Sequence, residues 1–124
     1  MKIIVLKFGG TSIGSIHRIK KVARIVKSYT KKYKVIILSS AMSGTTNKLI
    51  DMSKKISDNF ADNEYDTLVS AGEQISCSLL AGQLIENGIQ ARSLMAWQIP
   101  IITEGQHKYS RIKYIYKKRI LKFL

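Results

Sequence analysis

Three short stretches carry residue types that chemistry needs. The first is Lys7-Phe8-Gly9-Gly10-Thr11-Ser12-Ile13, entered from the apolar run Ile3-Ile4-Val5-Leu6. Glycines after a buried strand let backbone N–H groups approach an anion, and a helix N-terminus beyond them aims partial positive charge at it. Lys7 adds a full charge at the carboxyl end of the strand, where ligands collect in open α/β sheets. Thr11 and Ser12 could cap the following helix or bond a phosphate oxygen. The stretch is not a Walker loop, which ends in Gly-Lys-Ser/Thr, and it lacks the spaced glycines of the dinucleotide fingerprint. Residue types alone fit a phosphate loop or a plain strand–turn–helix corner equally well.

The second stretch, Ser40-Ala41-Met42-Ser43-Gly44-Thr45-Thr46-Asn47, gathers hydroxyls, a glycine and an amide after another apolar run. Hydroxyls and backbone N–H groups can hold a carboxylate without a permanent countercharge. A loop ending in a Thr N-cap has the same composition. The third stretch is Gly72-Glu73-Gln74-Ile75-Ser76. A carboxylate beside glycine at a helix start would gain from the helix dipole and could pair with a substrate ammonium. A surface Glu in a first helical turn reads the same way. His107 is read as structural, and Cys77 as a small packed side chain.

These stretches resemble the aspartate kinases. The family opens with Lys-Phe-Gly-Gly-Thr-Ser and a small aliphatic residue; Ile13 stands where Val is usual. Ser40-Ala41-Met42 with Gly44-Thr45-Thr46-Asn47 resembles the family's Ser-Ala-Met followed by Gly-x-Thr-Asn/Asp. Gly72-Glu73 with Ser76 resembles its Gly-Glu-x-x-Ser. A further block, Ala91-Arg92-Ser93-Leu94 through Trp97–Glu104, His107 and Arg111-Ile112, is similar as well, with Ser110 where Ala is frequent. The resemblance covers residues 2–112, and the Thr11-Ser12 ending separates it from related kinases acting on glutamate, acetylglutamate or UMP. It implies an α/β three-layer sandwich with a mainly parallel sheet, present incompletely. It implies transfer of the γ-phosphoryl group of ATP, with Mg2+, to the side-chain carboxylate of L-aspartate, a step toward lysine, threonine and methionine. In that reading Lys7 is catalytic and Lys7, Phe8, Gly9 and Gly10 bind the nucleotide. Ser40, Thr46 and Glu73 bind aspartate, and no protein residue is a metal ligand. The family's adenine contacts, later glycine-rich loop and substrate-gripping arginine have no counterpart in this sequence, so the chain is expected to be truncated and inactive alone.

The elements that must position these groups are read from periodicity. Residues 2–8 read as a strand covered on both faces, because the apolar run does not alternate. Ser15 is an N-cap for a helix whose stripe is Ile16, Ile19, Val22, Ala23, Val26 and Tyr29. Val35-Ile36-Ile37-Leu38 is a second strand, and the strand–helix–strand order implies a right-handed parallel crossover. A helix from Thr46 or Asn47 should bury Leu49, Met52, Ile56 and Phe60. Gly72 should break the chain's next helical stretch, ahead of a helix with Ile75, Leu79, Leu80 and Leu84 that ends near Gly88. Ile89–Leu94 reads as a third strand, and Ile101-Ile102, after Pro100, as a short extended or edge segment.

Composition bounds the rest. The chain has 124 residues and a formal net charge of +13, with hydrophobic content of 45%. Ten of the 21 basic residues lie in residues 1–34 and seven in 108–124, while all eight acids fall between Asp51 and Glu104. A basic non-catalytic nucleic-acid- or membrane-surface-binding module is the alternative function, but no zinc-finger spacing or aromatic RNA-binding signature supports it. No nucleic-acid or membrane partner is expected. A single cysteine excludes an internal disulfide, and the first apolar run is too short for a signal peptide core or membrane span, so a cytoplasmic protein is expected. Residues 113–124 are set apart as a basic tail, read as out-of-frame coding from AT-rich DNA. The rival is an amphipathic helix with Ile112, Tyr116, Ile120 and Phe123 on one face. An exposed sheet edge would favour homo-oligomers or aggregation.

Overall fold

The computed structural model describes residues 1–124. Strand β1 (Lys2–Phe8) and strand β2 (Tyr33–Ser39) pair in parallel, from Lys2 opposite Tyr33 to Phe8 opposite Ser39 without a slip. Helix α1 (Ile16–Thr30) is the crossover between them. Its start is fixed by Ser15, whose hydroxyl accepts from the Arg18 N–H at 3.2 Å. The cap sits where sequence puts it; Thr11 and Ser12 lie in turns ahead of it and cap nothing.

The core forms on one face of the sheet. Ile19, Val22, Ala23 and Val26 of α1 pack with Ile13, Leu80 and Leu84, and against Leu6, Phe8, Val35 and Ile37 of the strands. Burial of a side chain the size of Ile or Val stabilises by about 1.5–3 kcal/mol, so this stripe anchors α1. Ile16 is half-exposed at 52% and falls outside the stripe. The other face of the sheet is open: Ile3, Val5 and Leu38 are 46%, 55% and 54% exposed. The expectation of strands covered on both faces is therefore corrected. The apolar run is continuous, but only the Leu6–Phe8 side meets helices.

Helix α2 (Thr45–Ile56) begins after Gly44, whose φ of 80° is the left-handed conformation that favours glycine. It packs on α3 (Asp62–Glu86). Its buried residue is Ser53, with Leu49 and Ile50 half-buried; Met52 and Ile56 point to solvent, against the expected stripe. Ser53 Oγ donates to the Ile50 carbonyl at 2.8 Å, so its burial leaves no unpaired hydroxyl.

Helix α3 runs unbroken through Gly72. The expected interruption is absent, and the reason is tertiary. A Cβ on Gly72 would stand 2.9 Å from the Ala41 Cβ, so glycine lets the helix touch the loop after β2. Along α3, Leu80 and Leu84 are buried, while Ile75 and Leu79 stay 50% and 39% exposed. The helix ends as expected: Gly88, at φ 78°, donates to the Ile85 carbonyl and Ile89 to that of Leu84. Lys27 Nζ donates to the Asn87 carbonyl at 2.8 Å and ties the end of α3 to α1.

Residues 89–94 form no strand. Ile89 and Ala91 pack on the core while Gln90 and Arg92 are exposed, an extended-chain alternation, but neither sheet pairs with them. After a 3-10 turn (Ala96–Gln98), strands β3 (Ile101–Glu104) and β4 (Arg111–Ile115) make a separate antiparallel hairpin with a register shift at Ile102/Thr103. A short helix α4 (Lys117–Leu121) comes last. Ile112 lies in β4, so the single helical face through Ile112, Tyr116, Ile120 and Phe123 does not form.

The hairpin tip docks on the first turns of α3. His107 Nδ1 lies 2.7 Å from Asp66 Oδ2, and the Lys108 N–H donates to the same carboxylate. Lys108 Nζ pairs with Asp62 at 2.5 Å and stands 4.5 Å from the centre of the Tyr65 ring. The His107 hydrogen bond is the largest influence on the Asp66 carboxyl; with the Lys108 N–H and the charges of His107 and Lys108 it outweighs the opposing effect of desolvation and holds the group below its ordinary value.

Candidate active site

Because β1 and β2 are parallel and in register, the loops after Phe8 and Ser39 leave the sheet side by side. The Ser40 N–H donates to the Phe8 carbonyl at 3.2 Å, and the Ser43 N–H to the Gly10 carbonyl at 3.1 Å. Gly10 must be small, since a Cβ there would lie 2.7 Å from the Ala41 carbonyl oxygen. Gly9 has open space where its Cβ would be. The Ser12 N–H closes a turn onto the Gly9 carbonyl at 3.0 Å, while the N–H groups of Gly9, Gly10 and Thr11 donate to no protein acceptor. Arg18, from the first turn of α1, reaches back to the Thr11 carbonyl.

Glu73 joins these loops from α3. Its Oε1 accepts from the Ala41 N–H at 3.1 Å, and its other oxygen has no protein partner. Glu73 lies well inside a helix rather than at a helix start, so the helix-dipole argument made from sequence does not apply. What fixes it is Gly72 beside it, which brings α3 against Ala41 and Thr45. Cys77, one turn on, is half-buried, and burial together with the Glu73 charge pushes its thiol up.

Ser40 and Thr46 are half-buried. No buried side-chain oxygen lacks a partner, and their hydroxyls bond no protein atom, so both are open to solvent. Thr46 stands in the first turn of α2, which has no side-chain cap. Lys7 differs from the others. Leu6 and Phe8 face the helices, so Lys7 leaves β1 on the open face, exposed and opposite Leu38. It makes no ion pair and shares only the carboxyl edge of the sheet with the loops.

The sequence reading names Ser76 within the third stretch but gives it no role. It is fully buried, and its hydroxyl donates to the Ser40 carbonyl at 2.7 Å, with the Glu73 carbonyl at 3.1 Å and Ser39 Oγ at 3.4 Å beside it. Its place three residues after Glu73 was the available signal, since that spacing puts both side chains on one helix face. A cavity of about 450 Å³ lies elsewhere, between residues 92–100 and the end of the chain. It is lined by Arg92, Trp97, Arg119 and Phe123 among others and includes no residue of the three stretches.

The model of the amino acid kinase family matches residues 2–124. The chain belongs to that family. The matched range includes residues 113–124, and β4 runs across residue 112, where the sequence reading ends the resemblance. Among its relatives is the aspartokinase of Geobacillus stearothermophilus, 46% identical over 125 residues, covering 100% of this chain and 31% of the relative. The aspartate kinase of Pseudomonas putida is 44% identical over 121 residues, covering 97% of this chain and 29% of the relative. The chain thus spans less than a third of the length of these family members. The crystal structure of aspartate kinase from Synechocystis aligns with TM-score 0.65 and 42% identity over 68% of this chain and 15% of that one. Aspartokinase III of E. coli, solved with aspartate and ADP, aligns with TM-score 0.75 over 91% of this chain and 35% of that one; at 20% identity it shows the shared fold. The α/β fold with a parallel sheet is that of the family, here with helices on one sheet face.

Proposed function

We propose that this chain carries the phosphate loop and the acceptor site of an aspartate kinase. The observation behind the reading is the meeting of the Gly9-Gly10 loop, the Ser40–Thr46 loop and Glu73 at one edge of the sheet. The free N–H groups of Gly9, Gly10 and Thr11 suit phosphate oxygens. The unpaired oxygen of Glu73 suits the α-ammonium of aspartate, and the open hydroxyls of Ser40 and Thr46 suit its carboxylates. Lys7 offers positive charge at the same edge. MgATP would supply the γ-phosphoryl group, with the metal neutralising phosphate charge. No three His, Cys, Asp or Glu side chains cluster as metal ligands, so magnesium would be held through the phosphates, as is common for this ion. The chain's own task is placement of donor and acceptor.

Calorimetric titration tests the acceptor site. L-aspartate should bind and succinate, which lacks the ammonium, should not; Glu73→Gln should abolish the difference. Equal binding of both ligands to the unaltered chain would reject Glu73 as the ammonium partner. Turnover is a separate matter. Lys7 stands on an uncovered sheet face, so nothing on this chain shields a nucleotide there from water. A coupled assay should show no aspartate-dependent ADP release above a Lys7→Ala control. Release that Lys7→Ala abolishes would mean that an open face suffices for transfer.

A further inference from the structure

Glu73 and Ser76 grip the two ends of a single peptide group. The N–H of Ala41 and the C=O of Ser40 belong to the same peptide unit. Glu73 Oε1 accepts from that N–H at 3.1 Å, and Ser76 Oγ donates to that C=O at 2.7 Å. The two side chains are three residues apart on α3, so they rise from one face of the helix and reach opposite edges of the peptide plane. Ser76 has no other buried partner as close: the Glu73 carbonyl is at 3.1 Å, and Ser39 Oγ donates to it at 3.4 Å. Gly72 completes the arrangement by removing the side chain that would keep α3 off Ala41.

We propose that Ser76 is a positioning residue for the acceptor site, holding the Ser40–Ala41 peptide plane so that the Ser40 hydroxyl is set before substrate arrives. The assignment of the site to aspartate rests on the function proposed above; the clamp itself does not. A peptide held at one end can rotate about its flanking Cα atoms, and with it the direction of the Ser40 side chain. Held at both ends it cannot. The clamp also divides the work of Glu73. One oxygen fixes the loop and the other is left for an ammonium, so the group that reads the substrate's amine also sets the loop that reads its carboxylate. Replacing Glu73 by Gln keeps an acceptor oxygen for Ala41 and removes the charge. Replacing Ser76 by Ala keeps the charge and releases the peptide. The two functions are therefore separable by mutation.

The test is amide hydrogen exchange on the full chain, with L-aspartate titration alongside. Ser76→Ala should speed exchange at Ala41 about fivefold, the loss expected for one hydrogen bond, with the Leu80 amide of the same helix unchanged. Ser76→Cys, close in shape with a weaker donor, should fall between Ala and Ser, which guards against a variant that merely folds poorly. Glu73→Gln should leave Ala41 protected while weakening L-aspartate binding at least tenfold. Wild-type exchange at Ala41 in Ser76→Ala, or equal acceleration of Ala41 and Leu80, would overturn the proposal. Faster Ala41 exchange in Ser76→Ala supports the clamp even where L-aspartate fails to bind the unaltered chain, a result that would count against the substrate instead. Aspartate affinity untouched by Ser76→Ala, in a chain that binds it, would overturn the link between clamp and substrate.

Discussion

Alanine at Gly72 and alanine at Gly82 should move stability in opposite directions, although both glycines sit inside α3. In a helix interior, Gly→Ala gains about 0.8–1.0 kcal/mol from backbone entropy and solvation. At Gly82 nothing lies within 4 Å of the added Cβ, so the whole gain should appear. At Gly72 the new carbon would lie 2.9 Å from Ala41 Cβ and 3.4 Å from Thr45 Cγ2. Carbon pairs settle near 3.5–4.0 Å, so the loop must retreat by roughly 0.6–1.1 Å. Overpacking of this kind costs about 1–3 kcal/mol, and subtracting the helix gain leaves a net cost of about 0–2 kcal/mol. The two variants should then differ by about 1–3 kcal/mol, at least fivefold in the unfolding equilibrium. The retreat also carries Ala41 away from Glu73, stretching a 3.1 Å hydrogen bond past useful length. Urea unfolding followed by far-ultraviolet circular dichroism gives both values. Equal stabilisation by the two substitutions would refute the close-approach argument for Gly72 and, with it, the account of how α3 reaches the loop.

Other outcomes are equally definite. Ser15→Ala should cost about 1 kcal/mol, the usual loss of a helix N-cap, read from the same unfolding curves. Asp66 is held low by His107, so the hairpin contact contributes above the unfolded carboxylate range and is lost as pH falls through the lower folded value. An NMR titration should show the Asp66 carboxyl rising toward its ordinary range in His107→Ala, and no change there would dismiss the contact. Val5→Lys and Leu38→Lys, on the open sheet face, should reduce self-association in sedimentation velocity with little effect on folding, because neither side chain packs in the core.

The first third of the chain was legible because its signals are local. Ser15 is a cap by its own hydroxyl, the α1 stripe repeats at helical spacing, and apolar Val35–Leu38 can only be a short strand between two turns. Gly72 was misread because its meaning lies in Ala41, far away in sequence: without that neighbour, a glycine in a helical stretch is a breaker. Ile89–Leu94 has a strand's residues but no strand beside it, and pairing is not written in a single segment. The strand–helix–strand order shows the parallel crossover that sets the loops after β1 and β2 side by side, whereas the side of the sheet on which Lys7 emerges depends on which face the helices cover. Ser76 stands in the Gly-Glu-x-x-Ser block, but its role depends on the Ser40 carbonyl, a partner distant in sequence.

The unslipped pairing of β1 with β2 sets a rule for which changes of length this chain can absorb. Phe8 and Ser39 end their strands at the same height. One residue inserted into β2 would push the rest of the strand forward by about 3.3 Å and turn every later side chain to the opposite face. Ser40 would then leave Phe8, and α3 would meet the wrong peptide. The Ser57–Ala61 connection, exposed apart from half-buried Phe60, carries no such constraint, being a surface link between two helices. Insertions and deletions among descendants of this sequence should therefore gather between α2 and α3 and spare the strand–helix–strand unit altogether.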